Sequence, residues 1–250
     1  MPIKEPWTLV SGASSGIGRS IAMKLSGSNS LILTGRNVDA LKETKKQCKP
    51  GADIKIWRAD FGQPSEIRSS LSDFISHEDI EITGFINSAG FVKPEPVRLI
   101  SCESSLLSTA INYFSPLEIV SLLVSKNPNN RALQKCIFIS SIWSIGGAPG
   151  HTNYSGSKAA LDGAMRSMAI ELAPKVRLNS LSLGAINTPM ARQVLNDSDL
   201  AEKLISKYPL GIGDVDDVAA FIEFLMSRGA RWITGQNIVL DGGRSINYSY

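Results

Sequence analysis

Two side chains in the second half of the chain have the types and spacing to move a proton. Tyr154 and Lys158, in Tyr154-Ser155-Gly156-Ser157-Lys158, are four residues apart, so on a helix they share a face and the ammonium can sit near the phenol. A free tyrosine has a pKa of about 10 and is a poor base near neutrality. A neighbouring cation and hydrogen bonds to the phenolate favour its charged form, which predicts a Tyr154 phenol shifted down toward neutrality. Such a tyrosine can trade a proton with a substrate oxygen while hydride moves to or from a nicotinamide.

A dinucleotide also needs a place for its pyrophosphate. Ser11-Gly12-Ala13-Ser14-Ser15-Gly16-Ile17-Gly18 follows a strand-like segment and opens a helical pattern. Gly12, Gly16 and Gly18 permit a tight turn and let backbone N–H groups and a helix N-terminus approach phosphate, with Ser14, Ser15 and Ile17 in the same cradle. A Gly/Ser turn without a ligand is the competing reading; the position at the first strand-to-helix turn favours the cradle. The second strand runs into Thr34-Gly35-Arg36-Asn37. NAD binders usually carry an acidic residue there, whereas Arg36 offers a planar, permanently charged fork suited to a 2′-phosphate. NADP(H) is expected, with NAD(H) as the alternative and a solvated loop arginine as the plain reading of Arg36.

These groups need a scaffold, and the chain alternates in a way that supplies one. Apolar, β-prone runs recur at Trp7 to Val10, Leu31 to Thr34, Ile54 to Trp57, Gly84 to Asn87, Cys136 to Ser140, Leu178 to Leu183 and Asn237 to Leu240. Between them lie helix-length segments with apolar spacing of three and four, such as Ile17, Ile21 and Leu25. Continuous apolar strands such as Leu31-Ile32-Leu33 suit a sheet buried on both faces. The pattern predicts an α/β fold: one Rossmann-type domain over residues 1–250, a doubly wound parallel sheet of about seven strands with helices on both faces. The stretch 188–210 breaks the alternation and is expected to form a substrate lid carrying a short helix.

Composition narrows the partners. The 250 residues carry a net charge of only +3 with both signs interleaved, so neither nucleic acid nor an anionic membrane is expected. Three well-separated cysteines argue against a disulfide framework, and two histidines without nearby cysteines argue against a metal site. No signal peptide and no run of about 18 uninterrupted apolar residues is seen, so a cytoplasmic location is expected.

Taken together, the motifs resemble those of the short-chain dehydrogenases/reductases over essentially the whole chain. The family's glycine motif matches Gly12, Gly16 and Gly18, its Tyr-x-x-x-Lys matches Tyr154 and Lys158, and its serine thirteen residues before the tyrosine falls on Ser141. The resemblance implies that Ser141 hydrogen-bonds the reacting oxygen, that Lys158 also orients the nicotinamide ribose, and that Asn112 holds a water of the proton relay. It further implies cofactor contacts at Asp60 and Phe61, at Asn87, Ala89 and Gly90, and at Gly184, Ile186 and Thr188. Plainer readings are a helix cap for Asp60, a strand-end role for Asn87 and a loop hydroxyl for Thr188. Substrate contacts are expected from Ser141, Ser144, Trp143, His151 and Tyr154, although a lone Trp or His beside a site is often structural.

Three positions depart from the family pattern: Ser11 replaces a threonine, Ser88 an asparagine and Leu183 a proline. They are expected to tune the site without abolishing its chemistry. The activity implied is interconversion of a ketone and a secondary alcohol, with members acting on 3-oxoacyl thioesters nearest in pattern. A non-catalytic NADP(H) sensor or scaffold and a keto-sugar or nucleotide-sugar enzyme are the alternatives, the latter needing a larger C-terminal domain. The resemblance also implies a homotetramer or homodimer, with small residues after Tyr154 and the last strand at its contacts.

Overall fold

The structure, a computed structural model, describes residues 6–189, 191 and 197–247. Among the described residues, seven strands form one wholly parallel sheet: β1 (Pro6–Ser11), β2 (Ser30–Gly35), β3 (Ile54–Arg58), β4 (Glu81–Asn87), β5 (Lys135–Ser141), β6 (Arg177–Leu183) and β7 (Asn237–Leu240), in the order β3-β2-β1-β4-β5-β6-β7. The expected strands are all present, each within a few residues of its predicted bounds. The helices are α1 (Gly16–Leu25), α2 (Val38–Gln47), α3 (Pro64–Glu78), α4 (Cys102–Thr109), α5 (Ser115–Leu123), α6 (Trp143–Gly146), α7 (Thr152–Leu172), α8 (Ser198–Ile205) and α9 (Val215–Met226).

Successive residues of a strand point to opposite faces, and here each face meets its own core. Leu9, Ile32, Phe85, Cys136, Phe138 and Leu178 pack with α3, α5 and α7. Val10, Leu31, Leu33, Ile86, Ile137 and Leu181 pack with α1 and α9. That is why these strands read as unbroken apolar runs: neither face sees water.

Strand order reverses between β1 and β4, since the chain leaves β1 toward β2 and β3 and returns on the other side. The crevice beyond the carboxyl ends of β1 and β4 is where such sheets bind ligands. Leu183, the last residue of β6, pairs with Ser141 and Leu240. Leucine serves here as an ordinary strand residue where the family pattern has proline.

Helix Cys102–Leu123 is, by length and composition, apolar enough to cross a membrane. Nearly half of its apolar window is buried, and it packs on α3 and α7 as a core helix does. Of the expected lid, residues 190 and 192–196 lie outside the described residues; the short helix foreseen within it is α8. The base of this segment is held by Tyr208, whose hydroxyl accepts a hydrogen bond from Ala185 N at 2.9 Å.

Candidate active site

The turn after β1 is shaped by backbone. Gly12 has φ +65°, and a Cβ there would stand 2.8 Å from Ala89 N; a Cβ on Gly18 would collide with the Gly12 carbonyl. Gly16, at φ +51°, begins α1. No side chain caps that helix, and its first turn holds no acidic residue, which leaves backbone N–H groups for an anion. Ser15, Gly16, Arg19, Asn187 and Thr188 line part of a cleft of about 740 Å³ beside it. Arg19 braces the turn, donating to Ser14 O at 2.6 Å and to Thr44 Oγ1 at 3.0 Å. The residues present therefore fit a dinucleotide.

The Ser11 hydroxyl does the work of the expected threonine: it donates to Asn87 Oδ1 at 2.8 Å and accepts from Ala89 N at 3.0 Å, clamping the end of β4 against the cradle. Asn87 is fully buried, and its Nδ2 has no hydrogen-bond partner among the described residues. Arg36 is exposed just beyond β2, while Asn37 caps α2 by accepting from Ala40 N at 3.0 Å. Asp60 is exposed and accepts from Gly62 N at 2.9 Å, so it caps its own turn. Two expected cofactor residues need refinement, because Phe61 and Ile186 are core residues at 5% and 8% exposure. Their rings and methyls are spent on packing, which leaves chiefly their backbones for a ligand. Ala89, Gly184 and Thr188 are half-buried and Gly90 is exposed.

Tyr154 and Lys158 stand on the first two turns of α7, one above the other as their spacing predicts. Lys158 is 3% exposed; its Nζ donates to Ile139 O at 2.7 Å and lies 5.9 Å from the Tyr154 ring centroid. Burial lowers its pKa to about 8, against the opposing pull of the Asp162 charge. The Tyr154 phenol is pushed up to about 12, mainly by burial, with a hydrogen bond to Ser141 pulling it down and Asp162 pushing it up. The expectation of a phenol lowered toward neutrality is thus corrected: in the protein alone, desolvation outweighs the cation, and Tyr154 holds its proton.

Asn112 sits in a π-helical turn, Ala110–Phe114, between α4 and α5. Such turns are rare inside helices and frequent at functional sites. Its amide donates to Phe91 O at 2.8 Å and Ser157 Oγ at 2.9 Å, while Oδ1 accepts from Phe91 N at 2.8 Å. Ser157 Oγ in turn donates to Tyr154 O at 2.8 Å. With both amide hydrogens engaged, what the Asn112 side chain retains for a relay is acceptor capacity.

Trp143 packs edge-on to Tyr154, with centroids 6.1 Å apart, and against His151 at 4.2 Å. His151 Nδ1 meets Pro149 O at 2.8 Å. The structure thus brings Ser141, Trp143, His151, Tyr154 and Lys158 to one corner, with Asn112 behind it. Ser157 and Asp162 escaped the sequence analysis. Their signal was position: with Lys158, Leu161 and Met165 they define the buried face of α7, where a hydroxyl and a carboxylate are out of place unless engaged.

Residues 12–245 match a family model described as enoyl-(acyl carrier protein) reductase. A 3-oxoacyl-[acyl-carrier-protein] reductase of Buchnera aphidicola is 30% identical over 94% of this chain and 95% of its own. An L-xylulose reductase of Caenorhabditis elegans is 30% identical over 96% of this chain and 95% of its own. Among solved structures, a 4-hydroxyisoleucine dehydrogenase mutant complexed with NADH and succinate superposes with a TM-score of 0.88 at 29% identity, covering 97% of this chain and 100% of that one.

Proposed function

The chain belongs to the short-chain dehydrogenase/reductase family of oxidoreductases, and from that premise we propose that it interconverts a ketone and a secondary alcohol with NADP(H), using Tyr154 as proton donor and acceptor. The observation that carries this reading is Tyr154 on α7 beside Ser141, with the buried Lys158 one turn on and its Nζ 5.9 Å from the Tyr154 ring centroid.

In the direction of reduction, the Ser141 hydroxyl and the Tyr154 phenol both address the carbonyl oxygen. Ser141 stabilises charge developing there, and Tyr154 releases its proton to it. A phenol with a pKa of about 12 is fully protonated at neutral pH and ready to donate. Lys158, cationic below its pKa of about 8, eases formation of the phenolate and holds the nicotinamide ribose. Ser157 and Asn112 fix the backbone of Tyr154 and support the relay that returns its proton. The bound dinucleotide supplies the hydride acceptor or donor. Gly12, Ser14, Ser15, Gly16, Ile17 and Gly18 would hold its pyrophosphate, with Asn87, Ala89, Gly90, Gly184 and Thr188, and the backbones of Phe61 and Ile186, along its length. Arg36 favours the 2′-phosphate of NADP(H), and Asp60 flanks the adenine.

Trp143 and His151 form the substrate-side wall, and the lid role stays assigned to the 188–210 segment. A 3-oxoacyl thioester or another small ketone is the substrate class that the relatives support. The exposed Leu106, Leu107 and Phe114 beside the small exposed residues Gly156, Ala159 and Ala160, and the exposed Trp232 and Ile170, support a homotetramer. Three free cysteines, two of them buried, suit a cytoplasmic location. The test is oxidation of NADPH and of NADH against a panel of 3-oxoacyl thioesters, diketones, keto sugars and keto steroids. Turnover with at least one ketone, faster with NADPH, is expected; faster turnover with NADH would overturn the role given to Arg36.

A further inference from the structure

Asp162 is a buried carboxylate to which the proposed reaction assigns no task. It lies one turn beyond Lys158 on α7 and is 3% exposed. Its Oδ2 accepts three hydrogen bonds from three elements: Ser140 Oγ of β5 at 2.9 Å, Ser144 Oγ of α6 at 2.6 Å, and Asn237 Nδ2 of β7 at 2.9 Å. Ser182 Oγ of β6 extends the set by donating to Asn237 Oδ1 at 2.6 Å. The other carboxylate oxygen, Oδ1, is buried without a hydrogen-bond partner among the described residues, as is Ser180 Oγ on the same face of β6 as Ser182.

Stability alone does not call for this arrangement. Buried charged groups are often replaced by apolar residues of similar volume at no loss, and a buried oxygen left unpaired is costly. The partners point elsewhere. Ser140 immediately precedes Ser141, and Ser144 follows Trp143, so two of the three hydrogen bonds grip the corner that presents Ser141 and Trp143 to the site.

We propose that Asp162 is a positioning residue that ties the β5–α6 corner carrying Ser141 to the helix carrying Tyr154 and Lys158, and that sets a negative charge one turn behind Lys158. The inference rests on the proton-transfer role proposed for Tyr154. From α7 the titratable groups facing Asp162 are Tyr154 and Lys158; β5, α6, β6 and β7 face it with the neutral Ser140, Ser144, Ser182 and Asn237. Its charge raises the pKa of both Tyr154 and Lys158, so removing the charge lowers both.

Wild type, Asp162→Asn, Ser144→Ala and Tyr154→Phe are compared by thermal unfolding, by NADPH fluorescence as a function of pH, and by kcat and KM with a ketone that wild type reduces. Asp162→Asn is expected to move the alkaline fall of NADPH binding and of kcat to lower pH by about half a unit or more, and to reduce kcat about 10-fold with KM within about 3-fold. Ser144→Ala, which loses one hydrogen bond at a half-buried position, is expected to reduce kcat about 3-fold with an unchanged pH profile. If Asp162→Asn matches wild type in kcat and in both pH curves while Tyr154→Phe is inactive, the inference falls and the proposed reaction stands. Tyr154→Phe turning over like wild type overturns both. Should Asp162→Asn fail to fold, Ser144→Ala decides: an unchanged kcat, or a loss that falls on KM, overturns the positioning role, and a reduced kcat with unchanged KM and normal NADPH binding supports it.

Discussion

The turn after β1 and the corner between β5 and α7 face the same crevice but are built from different material. The first is backbone: Gly12 and Gly18 leave no room for a Cβ, and the helix N-terminus offers N–H groups regardless of side chain. The second is side chain: Ser141, Tyr154 and Lys158 stand together, with the serine and the lysine buried and the lysine held by the Ile139 carbonyl. The difference teaches where substitution is tolerated. A backbone site rejects added volume and tolerates change only in side chains that do no bonding within it; Ser11 keeps the threonine's hydroxyl because that group clamps the end of β4. A side-chain site accepts volume changes at its edges but depends on each functional atom.

Substitutions in the two regions should separate cofactor binding from chemistry. The largest effect is expected from Gly18→Ala, whose methyl meets the Gly12 carbonyl: NADPH binding measured by fluorescence should be lost, and unfolding should show a cost of about 1–3 kcal/mol. Ser141→Ala adds no volume and should leave NADPH binding intact while lowering kcat about 100-fold in steady-state assays. Arg36→Asp should weaken NADPH binding about 10-fold or more and favour NADH, which competitive titration of the two cofactors would read. Ser11→Ala, at the join between the two regions, should cost about 1–2 kcal/mol in thermal unfolding, since Ala89 N and Asn87 Oδ1 each lose a partner.

The sheet was legible because its inner strands pack on both faces, so composition alone marks them, and α7 was legible because four-residue spacing is a property of helices. Tyr154 and Lys158 could be named from type and spacing, and Ser141 from the family resemblance. What lay outside the sequence was what packing decides. Phe61 and Ile186 turned inward, and Asn112 sits in a π-turn whose extra residue leaves no mark in apolar periodicity. The direction of the Tyr154 shift was misjudged for a related reason. Spacing reveals that a cation is near, but the degree of burial that outweighs it belongs to the folded protein. Asp162 was missed because its partners are spread over α6, β5 and β7.

In the proposed reaction Tyr154 moves the proton while the backbone turn holds the cofactor independently. Tyr154→Phe tests it most directly, with NADPH binding and single-turnover ketone reduction measured on the same preparation. NADPH binding within about 3-fold of wild type and a rate reduced by about 1,000-fold or more is the predicted result. A rate close to that of wild type with the cofactor still bound would contradict the account.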